Sequence, residues 1–278
     1  MSTSGSSTSA SAPEPGERAT TFRALHEAGT FVMPNPWDAG SARLLESLGF
    51  PAVATTSSGF AFSLGRRDGR VTLAEVVAHV RSVVAAVSIP LSVDLENGYG
   101  AAPETAAAAV IAVGEAGAVG GSIEDYGHGE GVYGFDHAVE RVAAAAEAAA
   151  RLPFPFTLTA RAENLIRGST DLDDTIARLL AYERVGANVL FAPGLREVEQ
   201  IRTVCSTVSS PVNVLITPPL SVTEAAAAGA RRISVGGGLT WVAAGALLEA
   251  ATELRDQGTL GAFARSPGLR GIAALLGD

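Results

Sequence analysis

Three short apolar runs in this chain end in charge. They are Ser92-Val93-Asp94-Leu95-Glu96-Asn97-Gly98-Tyr99-Gly100, Ser122-Ile123-Glu124-Asp125 and Thr159-Ala160-Arg161-Ala162-Glu163-Asn164. Runs of this kind read as buried parallel strands, which places the charges where successive strands finish. Acids that emerge together at one end of a sheet repel one another. Two carboxylates about 4 Å apart at an effective dielectric near 20 cost on the order of 4 kcal/mol. A cation offsets that cost, so the pattern points to a metal site and to an enzyme. Asp94 and Glu96 are two residues apart and share a face if the strand continues through them; the plainer alternative is a solvated loop. Arg161 and Glu163 repeat that spacing. A planar guanidinium there suits a substrate carboxylate, and the alternative is an internal ion pair that fills the end of the sheet.

Other candidates lie on loops. Asp68 sits in Gly65-Arg66-Arg67-Asp68-Gly69. Thr56, Ser57 and Ser58 directly follow a predicted strand, where small residues let backbone N–H groups approach an anion or simply form an ordinary turn. Tyr126-Gly127-His128-Gly129-Glu130-Gly131-Val132-Tyr133-Gly134 follows the Glu124-Asp125 pair and has the composition of a mobile lid. Tyr99, His128, Glu130 and Tyr133 are the acid/base candidates. His26 and His79 fall inside predicted helices and read as structural.

The elements that must position these residues alternate. Strands are predicted near Thr30–Met33, Pro51–Thr55, Pro90–Asp94, Gly120–Glu124, Phe156–Ala160, Asn188–Phe191, Val212–Leu215 and Arg232–Val235. Helical patterns lie between them. Thr72 with Glu75 and Ser221 with Glu224 match the capping box. Leu48-Gly49, Ala116-Gly117, Val185-Gly186 and Ala228-Gly229 are helix stops. Eight such units predict a (β/α)8 TIM-type barrel, an α/β fold whose active site lies at the C-terminal ends of the strands. A doubly wound sheet would call for a Gly-rich turn after the first strand, and Pro34-Asn35-Pro36-Trp37-Asp38 is not one. Residues 1–20 are rich in Ser, Thr, Ala and Pro and are expected to form a disordered tail, with residues 21–278 a single barrel domain.

Composition excludes several classes. The 278 residues include no lysine; all 20 basic residues are arginine. That removes Schiff-base aldolases, pyridoxal-phosphate enzymes and Walker-type phosphate loops. A single cysteine, Cys205, rules out a disulfide framework and a multi-cysteine zinc site. A net charge of -9 without a basic cluster argues against nucleic acid as a partner. No signal-peptide pattern and no membrane-spanning run are visible, so a cytoplasmic location without membrane contact is expected.

Taken together, the segments resemble the isocitrate lyase/phosphoenolpyruvate mutase superfamily. The likeness rests on Asp94-Leu95-Glu96-Asn97-Gly98-Tyr99-Gly100, Ile123-Glu124-Asp125, Ala160-Arg161-Ala162-Glu163 and Asn35-Pro36-Trp37-Asp38-Ala39-Gly40-Ser41-Ala42-Arg43, and it runs from about Phe31 to about Leu247. The resemblance implies a Mg2+-dependent barrel (Mn2+ being an alternative ion) that holds a small 2-oxo or 2-hydroxy carboxylate. It implies Asp94 as the direct metal ligand, with Asp68, Glu96 and Glu124 acting mostly through metal-bound waters. Arg161, Glu163 and the backbone around Thr56, Ser57 and Ser58 would bind substrate. It also implies a homodimer or homotetramer that exchanges a C-terminal helix. The implied reaction is C–C cleavage through a pyruvate-like enolate, of lyase or decarboxylase type. Phosphoenolpyruvate or carboxyphosphonoenolpyruvate mutase chemistry and a non-catalytic carboxylate-binding barrel are the alternatives. Isocitrate and methylisocitrate lyases carry a Cys on the lid, and phosphonomutases a Lys directly after Glu-Asp. Here the lid reads Gly127-His128-Gly129-Glu130-Gly131 and Tyr126 follows Asp125, which counts against both activities.

Overall fold

Eight parallel strands form the wall of the molecule, each close to its predicted position. They are β1 (Phe31–Val32), β2 (Val53–Ala54), β3 (Leu91–Asp94), β4 (Gly120–Glu124), β5 (Thr157–Arg161), β6 (Val189–Phe191), β7 (Val212–Leu215) and β8 (Arg232–Ser234). The computed structural model describes residues 13–266 and 268–276. Hydrogen-bonded neighbours follow the order β1-β8-β7-β6-β5-β4-β3-β2. The ring is completed where Ala54 N donates to Pro34 O at 3.1 Å. Asn35 seals that seam. Its Nδ2 donates to Ala54 O and Thr55 O, and its Oδ1 accepts from Val235 N at 3.0 Å. One buried amide thus ties β1 to both neighbours, and the fold is the (β/α)8 barrel.

The wall helices are α2 (Ala39–Ser47), α4 (Leu73–Ala86), α5 (Pro103–Glu115), α6 (Phe135–Ala150), α7 (Leu172–Arg184), α8 (Val198–Thr207) and α9 (Val222–Ala227). Both predicted capping boxes form, with Thr72 and Ser221 as N-caps. The alanines have a packing role: Ala106, Ala109, Ala138 and Ala145 are buried where α5 and α6 pack together. Side chains this short let two helix backbones approach closely without leaving voids.

Two features depart from expectation. Residues 1–12 of the expected tail lie outside the described residues. Beyond them a helix, α1, runs over Pro15–Ala24 and overlaps the end of the segment expected to lack structure. Pro at its first turn is pre-organised for a helix start, and Ala19 and Phe22 are fully buried beneath the barrel. The Ser57–Ser63 stretch after β2, for which no helix is predicted, is a short helix, α3, capped by Thr56. In the C-terminal region helical segments follow β8. Helix α10 (Gly238–Gln257) buries only Thr240, while a terminal helix over Gly268–Leu276 packs on α2, where Arg43 Nη1 donates to Leu276 O at 2.8 Å.

Candidate active site

The strand ends converge as the barrel requires. Asp94 closes β3, and its carboxylate bridges two neighbours: Oδ1 accepts from Arg161 Nη1 at 2.8 Å and Oδ2 from Ser57 N at 3.1 Å. Arg161 closes β5. Besides Asp94, its guanidinium lies 3.0 Å from Glu124 Oε2 and 2.7 Å from Glu163 Oε1. The Phe191 ring lies 5.3 Å from it on a neighbouring strand. Glu163 is fully buried and its second oxygen accepts from Arg167 Nη2 at 2.9 Å. It therefore sits behind Arg161 as a support rather than on the cavity, unlike the substrate-binding position the resemblance assigns to it.

Asp94 and Glu96 do not share a strand face. The strand stops at Asp94, and Glu96 takes φ 49°, followed by Gly98 at φ 76° and Tyr99 at φ 64°. Left-handed backbone at two non-glycine residues costs energy that surrounding contacts must hold in place. Gly98 is obligatory there, since a Cβ would lie 2.7 Å from Ala106 Cα. Arg141, 1% exposed and projecting from α6, donates to the carbonyls of Asn97, Gly100, Ala101 and Ala102. Asn97 Nδ2 reaches Tyr133 Oη at 2.9 Å. The turn thus swings Glu96 toward the lid, where His128 Nε2 lies 3.6 Å from Glu96 Oε2.

The remaining predicted residues are placed as follows. Asp68, Asp94, Arg161, Thr56, Ser57 and Ser58 all line one cavity of about 170 Å³ at the C-terminal end of the strands. Glu124 is buried behind Arg161, and Glu96 lines the adjacent cleft with Tyr99 and His128. The lid is a small antiparallel hairpin, Tyr126–Gly127 with Gly131–Val132. Arg167 stacks 3.5 Å over its Tyr126 ring. Glu130 is exposed near the hairpin tip, beside the Tyr133 hydroxyl and away from the cavity. A larger groove of about 950 Å³ lies at the opposite end, lined by Arg23, His26, Asn188 and Pro211, remote from the acids.

The electrostatics are those of acids in excess. Asp94, Glu124 and Glu163 share the one guanidinium of Arg161, Glu163 also pairs with Arg167, and Asp68 and Glu96 lie nearby. Burial, then Asp94 and Asp68, pushes the Glu96 carboxyl up to about 8. Burial and then Asp94 also raise Asp68. Burial raises Glu124 against the pull of an arginine it shares with two other acids. The Tyr99 hydroxyl is buried with no hydrogen-bond partner among the described residues, and burial followed by Glu96 and Asp94 raises it well above the usual phenol range.

These features fit a divalent cation. The donors are all hard oxygens, the carboxylates repel, and a buried hydroxyl faces them unsatisfied. Among the described residues, no three carboxylate or imidazole groups converge as a ready-made cage. Mg2+ does not require one, because it binds through one or two carboxylates and retains several waters.

A pH dependence follows with a definite sign. In the metal-free protein Glu96 titrates near 8, against 4.5 unfolded. Between those values the folded state holds the extra proton, so stability falls as pH rises through that window. Metal binding expels the proton. Melting curves should therefore show Mg2+ stabilisation that grows with pH up to about 8 and then levels, and Glu96→Gln should flatten the metal-free slope. A metal-free stability that rises across the window would contradict this assignment.

Several site residues were missed. Asn213, Arg232 and Ser234 line the cavity floor. Their signal was a polar residue at alternate positions of otherwise apolar strands, Val212-Asn213-Val214 and Arg232-Ile233-Ser234. Arg141, Arg178 and Tyr182 support the site from outer helices and carry no local signal.

A family profile described as phosphoenolpyruvate phosphomutase matches residues 22–255. A structure from Burkholderia cenocepacia J2315, provisionally described as a lyase/mutase, is 49% identical, covers 95% of this chain and 97% of its own, and superposes with a TM-score of 0.92. Oxaloacetate acetylhydrolase, solved with its product oxalate, is 28% identical over 95% of this chain and 96% of its own, with a TM-score of 0.86. Oxaloacetate decarboxylase from Rhodopseudomonas palustris (strain BisB5) is 29% identical over 224 residues, 77% of this chain and 75% of that protein.

Proposed function

Because the chain belongs to the phosphoenolpyruvate phosphomutase family, within the isocitrate lyase/phosphoenolpyruvate mutase superfamily, we propose that it is a Mg2+-dependent lyase or decarboxylase. Its substrate is a small 2-oxo or 2-hydroxy dicarboxylate, cleaved at a C–C bond through a pyruvate-like enolate. The observation that carries this reading is Asp68, Asp94 and Arg161 meeting on one small cavity at the C-terminal end of the strands.

When bound, the metal supplies Lewis-acid stabilisation of a developing enolate oxygen, worth several kcal/mol. Asp94 would hold it directly, and Asp68, Glu96 and Glu124 would act through its waters. Arg161, steadied by Glu163, presents a planar donor to the substrate carboxylate. Ser57 and Ser58 orient the reacting end against β3. The hairpin with His128 covers the cleft and excludes water. Similarity to oxaloacetate decarboxylase and oxaloacetate acetylhydrolase favours oxaloacetate-like substrates. The profile's own description favours P–C chemistry as the second reading.

Metal-stripped protein is incubated with oxaloacetate, methylisocitrate, isocitrate and phosphonopyruvate, and Mg2+ is then restored. The proposal expects Mg2+-dependent release of pyruvate or glyoxylate above the protein-free rate. Conversion of phosphonopyruvate to phosphoenolpyruvate alone would favour the mutase reading. Ligand-induced stabilisation without product would favour a binding barrel.

A second copy of the chain is proposed to cover α10. Among its residues Val242, Leu247 and Leu248 are 70%, 68% and 69% exposed. A helix with so much apolar surface in water is normally partnered. Light scattering should give a dimer or tetramer, and Leu247→Asp with Leu248→Asp should shift it toward monomer. A wild-type monomer at micromolar concentration would refute this. No helix among the described residues is long and apolar enough to cross a membrane.

A further inference from the structure

The cavity contains a second guanidinium, and its surroundings are the opposite of those of Arg161. Arg232 points inward from β8, is 3% exposed, and lines the same cavity. Its Nε donates to Asn213 Oδ1 at 2.9 Å and its Nη2 to Thr159 Oγ1 at 2.9 Å. Its Nη1 lies 3.4 Å from His26 Nε2. That imidazole is neutral, since burial and then Arg232 hold His26 down at about 3. Its Nδ1 lies 2.8 Å from Phe22 O and must carry the proton, so Nε2 is the acceptor facing Arg232. All three partners are therefore uncharged. Among the described residues no carboxylate forms an ion pair with Arg232, and burial alone lowers its guanidinium to about 9.

A guanidinium has five N–H donors. Three are accounted for, which leaves donors on Nη1 and Nη2 without partners among the described residues. An isolated buried cation is costly unless something compensates it. Thr159 stands two residues before Arg161 on β5, so Arg232 lies one inward layer, about 7 Å, deeper along the strands. The upper layer has too many acids and the lower one has an uncompensated cation.

We propose that Arg232, with Asn213 and Ser234, is the anchor for the distal carboxylate of a dicarboxylate ligand, and that it selects dicarboxylates over monocarboxylates. Asn213 is held for this purpose: its Oδ1 takes Arg232 Nε while its Nδ2 donates to Ser234 Oγ at 3.0 Å. The inference rests on the proposed function for the other end of the ligand, which Arg161 and the cation proposed at Asp94 would receive.

Calorimetry with Mg2+-loaded protein separates the two ideas. Oxalate probes the upper layer alone, L-malate spans both, and the distal mono-amide of malate spans both without the second charge. Wild type should bind the mono-amide at least about tenfold more weakly than malate, the order expected for losing hydrogen bonds to a charged group. Arg232→Met should bind oxalate as wild type does and malate about tenfold more weakly. Equal wild-type affinity for malate and its amide overturns the anchor, as does a folded Arg232→Met that keeps malate affinity. The wild-type ligand pair decides the matter if the variant does not fold. If oxalate binds and malate shows no preference, only the anchor fails. If neither acid binds wild type, the proposed function fails and the anchor with it.

Discussion

Asp94→Asn is expected to lower kcat/KM on the turned-over 2-oxo acid by about a thousandfold or more, which is about 4 kcal/mol of transition-state stabilisation. The protein should still fold. Asp94 is the one acid that lines the cavity, closes a barrel strand and touches both Arg161 and the backbone of Ser57. An amide of the same shape keeps an acceptor for Ser57 N but is a poor ligand for a hard cation. Arg161 retains Glu124 and Glu163, and the neutral side chain no longer repels Glu96 and Asp68. The metal-free melting temperature should therefore move little, while its rise on adding Mg2+ disappears. Full activity in this variant, or an intact thermal response to Mg2+, would remove Asp94 from the metal site.

The second large effect is on stability. Asp125, beside Glu124 at the end of β4, is 2% exposed and fully engaged. Its Oδ1 accepts from Glu163 N at 2.8 Å. Its Oδ2 accepts from Arg178 Nη1 at 2.9 Å and from Tyr182 Oη at 2.6 Å. Breaking a buried pair from one side costs about 3–5 kcal/mol, because the partner charge stays buried without compensation. Asp125→Ala should lose stability in that range, read as a lower urea midpoint with unchanged slope. Asp125→Asn should lose less, since its amide oxygen can still accept. An Asp125→Ala protein as stable as wild type would mean that Arg178 is held by Asp174 and Tyr133 O alone. Asp125 would act on chemistry only indirectly, by placing the Glu163 that steadies Arg161.

The barrel was legible because the strands are short apolar runs, four of them preceded by a helix-stopping glycine, and charged residues mark where β3, β4 and β5 end. Asp94, Glu124 and Arg161 could be grouped from that rule alone, whereas Asp68 sits on a loop and entered only through the family resemblance. The relation of Asp94 to Glu96 could not, because two non-glycine residues adopt left-handed backbone held by Arg141 from a helix far along the chain. Arg178 and Tyr182 were unreadable for the same reason: their partner Asp125 lies 53 and 57 residues away. Helix α1 was hidden by a composition that reads as solvated, although Ala19 and Phe22 supply its buried face. Arg232 was visible as an arginine in an apolar strand, but its lack of a counter-charge is a property of the whole barrel interior.

The most direct test of the central claim is anomalous diffraction from crystals soaked in Mn2+ and oxalate. A single manganese peak is expected at Asp94, with Asp68, Glu96 and Glu124 reaching it through waters and oxalate lying between the ion and Arg161. Absence of a peak at Asp94 at saturating Mn2+, with Arg161 still bonded to the Asp94 carboxylate, would contradict the account.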